Sequence, residues 1–250
     1  MTRRFALALA LLGLPALALA DMFTFFEDHF DGGTLNPAWI VWGSGPYSLV
    51  GSDLEFMTEQ GDFHNAFEPI YGVPRHVFLI DPPDEFTQWT AVTRVRYNTP
   101  DEYHEQVDLI AFEDHDNSVK VSYNFRVSPP RYEHVVLSEQ GGAVNQTAYN
   151  ADPGYTDYFW LRLDRDGATY TAWASGDATA DPDVVSWTLL GNKVNSLSNP
   201  TIGIGGWNSY ATPTGELAEF DYFRLQIVPE PATATLLAVS GGLLMRRRRA

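Results

Sequence analysis

Pairs of acidic residues are the features of this sequence best suited to chemistry, because hydrolysis of a glycosidic bond needs two carboxyl groups roughly 5–9 Å apart. Glu105 and Asp108 have an odd spacing, which on a strand points two side chains to opposite faces. Glu219 and Asp221 share a face, but acids of this kind are also ordinary on the exposed side of a sheet. The sequence therefore predicts no catalytic residue, and a glycan-active hydrolase or lyase stays open as an alternative.

Two further kinds of catalytic site have no support in the sequence. The histidines never fall at close metal-ligand spacing, and no Gly-x-Ser-x-Gly segment offers a serine nucleophile. We therefore expect neither a catalytic zinc centre nor an esterase triad.

Acidic residues near both ends of the chain are candidate calcium ligands. Asp28 and Asp31 lie near the start, and Glu219 and Asp221 lie near the end. If the first and last strands are neighbours in the fold, these carboxylates could approach one another, and Ca²⁺ prefers oxygen ligands. The sequence thus predicts structural Ca²⁺ as the one candidate cofactor, against the alternative of ordinary surface acids.

Aromatic side chains that stack on sugar rings are the candidates for ligand binding. Trp207 is the first choice, because the glycines before it suggest a loop on which an indole would be exposed. Tyr210 follows in the same segment, and Trp89 is a third candidate. Most aromatic residues of a sandwich belong to its core, which is the alternative for each of them. The wider set also contains Trp42, Tyr97, Tyr123 and Trp173.

The elements that must position these residues are strands. Residues 118–127 alternate apolar and polar side chains, which predicts a strand with one buried and one solvated face, and 106–112 precedes it as the other half of a hairpin. A second hairpin turns at Asp166-Gly167, a pair suited to the positive φ of tight turns. Further strands are predicted at 47–50, 54–58, 76–80, 88–97, 133–137, 185–190, 201–205 and 217–227. The pattern predicts an all-β, antiparallel two-sheet β-sandwich or jelly roll.

Composition narrows the class of protein. The chain has 250 residues, no cysteine, and 44% hydrophobic residues, which excludes a disordered chain and a disulfide scaffold. Its formal net charge of −16 argues against nucleic acid as a partner, because binding to phosphates needs a basic surface.

The N-terminus has the three parts of a secretory signal peptide. A basic start is followed by an apolar run and then by Ala18-Leu19-Ala20, a small-x-small cleavage site before Asp21. Residues 1–20 are therefore predicted to be a signal helix that is removed on export.

The C-terminus, 228–250, carries Pro229-Glu230-Pro231, an apolar segment, and the basic cluster Arg246, Arg247, Arg248 and Arg249. This order resembles the PEP-CTERM sorting signal of Gram-negative bacteria. The resemblance implies processing by an exosortase and release to the cell surface or matrix. The apolar segment is shorter than the roughly 20 residues that span a bilayer comfortably, so insertion of this helix in the inner membrane would be transient.

Residues 21–227 are predicted to form one domain, and several of its segments carry a second resemblance. The segments Asp28-His29-Phe30-Asp31, Trp160-Leu161-Arg162-Leu163-Asp164-Arg165-Asp166-Gly167 and Phe220-Asp221-Tyr222-Phe223 resemble the concanavalin A-like sandwich at the C-terminus of family-43 β-xylosidases. The likeness implies a lectin-like or accessory module, often with structural calcium. In that family the hairpin usually continues into a Ser-x-Asp-Gly-x-x-Trp segment. Here a longer acidic insert separates Asp177 from Trp187, which departs from the family pattern.

Together these features predict an exported surface or matrix protein that binds a glycan, such as an extracellular polysaccharide, without catalysis. The alternatives are a hydrolase or lyase of the same fold and a purely structural matrix protein. Removal of both ends would leave 10 basic and 31 acidic residues, so the exported body would carry about −21, a charge that keeps a secreted protein soluble.

Overall fold

The alternating segments of the sequence form strands throughout a computed structural model that describes residues 22–63, 72–83, 86–97, 104–127, 129–150, 155, 157–208 and 215–228. These residues contain 16 strands. The strands are β1 (Phe23–Asp28), β2 (Ile40–Trp42), β3 (Ser48–Val50), β4 (Asp53–Met57), β5 (Glu59–Gln60), β6 (Val77–Ile80), β7 (Gln88–Tyr97), β8 (Glu105–Asp114), β9 (Asn117–Val127), β10 (Pro130–Gln140), β11 (Ala143–Asn150), β12 (Phe159–Asp166), β13 (Thr169–Ser175), β14 (Thr188–Val194), β15 (Thr201–Asn208) and β16 (Leu217–Ile227).

The strands divide between two sheets, so the predicted all-β sandwich is confirmed. The first sheet has the order β14-β13-β12-β7-β16-β4-β3, with β1 also paired to β16. The second sheet has the order β11-β10-β9-β8-β15-β6-β2, with β5 also paired to β15. Pairing is antiparallel except between β5 and β15. Within the described ranges, no helix has the length and apolar character needed to cross a membrane.

Buried side chains from the inner faces of both sheets form one large core cluster. Leu109 and Val121 of the second sheet belong to it, as do Leu161 and Phe223 of the first. Each side chain of this size contributes ~1.5–3 kcal/mol when it is fully buried. This core holds the two sheets together in a chain that has no disulfide.

Both predicted hairpins are present, because their sequences alternate cleanly and contain turn residues. β8 pairs with β9, and β12 pairs with β13. Gly167 has the positive φ, 59°, that the second turn requires. Two of the predicted strands, 88–97 and 217–227, have the bounds of β7 and β16.

The outer face of the second sheet differs from the prediction, because it is buried as well. Phe63, Val77, Leu79, Ile110, Phe112 and Trp207 form a second apolar cluster there, which we call the outer apolar cluster. The polar side chains of β9 lie on the same face: Lys120 is 8% exposed, Ser122 0% and Asn124 3%. The expectation that this face of β9 is solvated is therefore wrong, since periodicity separates two faces but cannot tell whether the second is covered.

Candidate functional site

A pocket of about 680 Å³ lies beside the outer apolar cluster, where the end of β2, the strand β5 and the segment 72–75 meet. Its lining combines one indole with charged and polar groups. The lining residues are Trp42, Gly43, Ser44, Glu59, Gln60, Gly72, Val73 and Arg75.

Glycines allow the backbone to fold closely around this pocket. Gly43 has a φ of 101°, and a Cβ there would lie 2.2 Å from the carbonyl oxygen of Arg75. The backbone N–H of Gly45 donates to the same oxygen at 3.2 Å. Only a residue without a side chain permits this approach at position 43, so the shape of this pocket wall depends on Gly43.

The polar groups of the pocket are paired but remain partly open to solvent. Arg75 Nη1 donates to Glu59 Oε2 at 2.6 Å. The half-buried Trp42 ring packs on Phe63 and Phe112, with ring centroids 5.2 and 4.8 Å apart respectively. An anchored indole beside hydrogen-bonding groups has the composition of a small-molecule site.

The aromatic residues preferred from sequence do not form this site. Trp207 lies in β15 with 1% of its surface exposed, so the prediction of an exposed loop is wrong. The glycines of this segment serve close packing instead: a Cβ on Gly203 would lie 1.8 Å from the carbonyl oxygen of Phe78. Trp89 is 2% exposed and belongs to the main core. Tyr210 lies outside the described residues.

The first and last strands are neighbours as expected, since β1 pairs with β16. The four predicted calcium ligands nevertheless have separate roles. Asp28 accepts hydrogen bonds from the backbone N–H of Phe30 at 2.9 Å and from Trp39 Nε1 at 2.8 Å, whereas Asp31 is exposed.

The other two predicted ligands form ion pairs with arginines of β7. Glu219 pairs with Arg96, and Asp221 pairs with Arg94 at 2.6 Å. Burial raises the pKa of Asp221 to about 6, although the Arg94 charge opposes this shift. Three of the four predicted ligands, Asp28, Glu219 and Asp221, thus have protein partners of their own, and calcium binding by this set stays a prediction.

Glu219 does approach two other carboxylates, Asp53 and Glu55, with one oxygen of each within 4.8 Å of the others. Arg96 supplies a positive charge to this group, because its guanidinium binds Glu219. Burial and the neighbouring acids raise the pKa of Glu55. The arrangement on the first sheet thus brings together three carboxylates, of which Glu219 is ion-paired with Arg96.

Thermal unfolding tests the predicted calcium binding. An ion that binds only the folded state stabilises that state. We therefore expect excess chelator to lower the midpoint of thermal unfolding by several degrees. A melting curve that chelator leaves unchanged would contradict the prediction.

A second set of half-buried aromatic residues lies on the first sheet. Arg162 lies between Trp173 and Trp187, with its guanidinium carbon 5.7 and 5.6 Å from the respective ring centroids. Trp173 Nε1 donates to Asp164 at 2.8 Å. Because the guanidinium occupies the ring faces, this surface is less suited to stacking on a sugar than the pocket at Trp42.

The predicted export signals lie outside the described residues. They comprise the cleavage residues Ala18, Ala20 and Asp21, and the sorting residues Pro229, Glu230, Pro231, Arg246, Arg247, Arg248 and Arg249.

Comparison with known proteins identifies the fold. No protein-family model matches the chain, and no curated protein matches it. Solved structures do match. The GH43 protein BlXynB of Bacillus licheniformis has a TM-score of 0.65 at 16% identity over 81% of this chain and 39% of that one. The xylan β-1,4-xylosidase of Bacillus halodurans C-125 has a TM-score of 0.61 at 14% identity over 80% of this chain and 38% of that one.

A third structure matches over nearly its whole length. The CBM2 module of the evolved Dit of Lactobacillus casei BL23 phage J-1 has a TM-score of 0.58 at 10% identity, over 84% of this chain and 97% of that module. The chain thus corresponds to less than half of the xylosidase-type chains but to almost all of an isolated module. These likenesses confirm the resemblance to the family-43 sandwich as one of fold.

Proposed function

We propose that this chain is an exported β-sandwich that binds a glycan in the pocket at Trp42 and does not cleave it. The observation that carries the proposal is the pocket itself, in which an anchored indole lies beside the Glu59–Arg75 pair. An aromatic ring can stack on a pyranose ring while the charged groups hydrogen-bond its hydroxyls. The matched structures include glycoside hydrolase family 43 proteins and a module named CBM2, which agrees with a glycan as ligand.

The composition of the pocket favours binding over hydrolysis. Among its described lining residues, Glu59 is the only carboxylate, and it is paired with Arg75. A glycosidase needs a second carboxyl group across the bond. The close carboxylates Asp53, Glu55 and Glu219 lie instead on strands of the first sheet, away from the pocket lining, and Glu219 is ion-paired with Arg96.

The charge of the chain bears on the kind of glycan. An exported body of about −21 repels polyanions at low ionic strength. We therefore propose a neutral polysaccharide, rather than a uronate or sulfated one, as the ligand.

The proposal includes export through the two terminal signals. The arginine cluster resists crossing the inner membrane, and an exosortase would process the chain near Pro229-Glu230-Pro231. The destination is then the surface or matrix of a Gram-negative bacterium.

A panel of immobilised polysaccharides separates the three candidate functions. Retention of the purified protein without new reducing ends is the expected result. New reducing ends would support the hydrolase alternative, and a new unsaturated product would support a lyase. If no polysaccharide retains the protein and none is cleaved, the result would contradict the proposal and favour the structural matrix protein.

Replacement of Trp42 by alanine tests the location of the site. Loss of a buried aromatic anchor typically costs about 2 kcal/mol, so we expect roughly 30-fold weaker binding to the retained polysaccharide. Affinity electrophoresis measures the change. Trp42→Phe keeps an aromatic face and should retain most of the affinity.

Trp173→Ala is the matched control on the first sheet, and we expect it to bind as the unaltered chain does. Circular dichroism spectra verify that each variant folds. If Trp173→Ala weakens binding while Trp42→Ala does not, the ligand occupies the other sheet and the assignment of the pocket is wrong.

A further inference from the structure

A lysine and an aspartate meet on the buried outer face of the second sheet, apart from the pocket and from its proposed ligand. Asp108 lies on β8 and is 0% exposed, while Lys120 lies on β9 and is 8% exposed. The register places Asp108 opposite Ser122 and Lys120 opposite Ile110, so the two side chains are diagonal neighbours across the hairpin. Their position is therefore fixed by two paired strands.

The distances bring an amine and a carboxyl group together. Lys120 Nζ lies 3.1 Å from Asp108 Oδ1 and donates to Gln106 Oε1 at 2.9 Å. The hydroxyl of Ser122 donates to the same Oδ1. Asp108 Oδ2 is buried and has no hydrogen-bond partner. One carboxyl oxygen is thus held by two donors and the other by none.

Aromatic rings close this site on the outer side. The Trp207 ring lies 4.3 Å from Lys120 Nζ, and Phe63 packs edge-on against Trp207 with centroids 5.0 Å apart. A ligand from solvent has no access to an aspartate of 0% exposure. Any reaction at these groups is therefore a reaction between them.

We propose that Lys120 and Asp108 condense to an intramolecular isopeptide bond. A proton passes from the Lys120 ammonium to the Asp108 carboxylate, and the neutral amine attacks Cγ. The Nζ–Cγ bond forms, the Cγ–Oδ2 bond breaks, and Oδ2 leaves as water with one proton from the acid and one from the amine. No oxidation or reduction takes place, and no further reactant is needed.

The neighbouring residues match the needs of this condensation. Ser122 donates to Oδ1, where negative charge develops as Nζ attacks, and Gln106 orients the amine. Burial raises the pKa of Asp108 more than the Lys120 charge lowers it, which favours the neutral carboxyl group that the amine attacks. Formation of the amide also removes a buried ion pair, whose desolvation is costly.

Peptide mapping of the full-length chain tests the proposal directly. Residues 97–126 contain one trypsin site, Lys120, between Arg96 and Arg126. An acylated Lys120 resists trypsin, so we expect a single 97–126 peptide lighter by one water, with no fragment ions between positions 108 and 120. Recovery of separate 97–120 and 121–126 peptides of full mass would show that the two residues form only an ion pair, and would overturn the proposal.

Three variants make the assignment specific. Asp108→Asn should give the same linked peptide, because its side chain releases ammonia where the aspartate releases water. Asp108→Ala should be cleaved at Lys120, and Lys120→Arg should be cleaved at the new arginine, because neither can form the bond. A linked peptide that persists in Asp108→Ala would assign the bond to another acid and contradict the proposal.

Discussion

Replacement of Asp28 by alanine is expected to lower the free energy of unfolding by about 3 kcal/mol, because two hydrogen bonds to a carboxylate are lost. The carboxylate accepts from Trp39 Nε1 in the core and from the backbone N–H of Phe30. Phe30 has a φ of 52°, a left-handed conformation that few side chains favour without such support. Denaturant unfolding measures the change.

Asp31→Ala is the matched control, because Asp31 is an aspartate close to Asp28 in the sequence but has an exposed side chain. We expect it to change the free energy of unfolding by less than ~0.5 kcal/mol. The loss in Asp28→Ala should be the same with and without chelator. A loss that disappears in chelator would identify Asp28 as a calcium ligand and contradict the role assigned to it.

The second large effect is a loss of stability in acid that originates at His134. This histidine is 3% exposed, and its Nε2 lies 3.0 Å from the Tyr155 hydroxyl. Burial lowers its pKa from 6.5 to about 4. Between these two values the unfolded chain binds a proton at His134 and the folded chain does not. The contribution of His134 to the free energy of unfolding therefore falls by about 3 kcal/mol as the pH drops from 6.5 to about 4.

The variant His134→Gln isolates this contribution from those of other groups. His104, with a pKa lowered to about 4, also lowers the stability of the protein as the pH falls. Asp221, with a pKa raised to about 6, has the opposite effect, because the folded protein binds its proton more tightly than the unfolded chain does. Urea unfolding across this range should show a smaller decline for His134→Gln than for the unaltered chain.

Val136→Ala is the control for the acid effect, because it removes a buried side chain of the same strand without a titratable group. It should lower stability at every pH and leave the decline unchanged. Equal declines in His134→Gln and in the unaltered chain would show that His134 is not the origin.

Periodicity predicted the strands whose two faces differ, and it missed β1, β2, β5 and β11. β11 was not predicted, because most of its residues are exposed and its sequence has little apolar alternation. β2 and β5 are too short to show a period. Local pattern reports burial, so an edge strand with two solvated faces gives almost no signal.

The site could not be predicted in the same way, because its residues come from separate parts of the chain. Trp42, Glu59 and Arg75 meet only through the pairing of β2 with β6 and of β5 with β15. Trp42 was among the aromatic candidates, but nothing local distinguished it from Trp207, whose glycines indicate close packing as well as a loop. Exposure of an aromatic ring is a property of the fold.

The central claim is that a glycan binds at Trp42, and the indole N–H resonances test it most directly. The chain has seven tryptophans. Titration of the folded protein with an oligosaccharide of the retained polysaccharide should shift the Trp42 indole signal in a saturable way and leave those of the buried Trp89, Trp160 and Trp207 in place. Saturable shifts confined to Trp173 and Trp187, or no shift for any tryptophan at saturating ligand, would contradict the account.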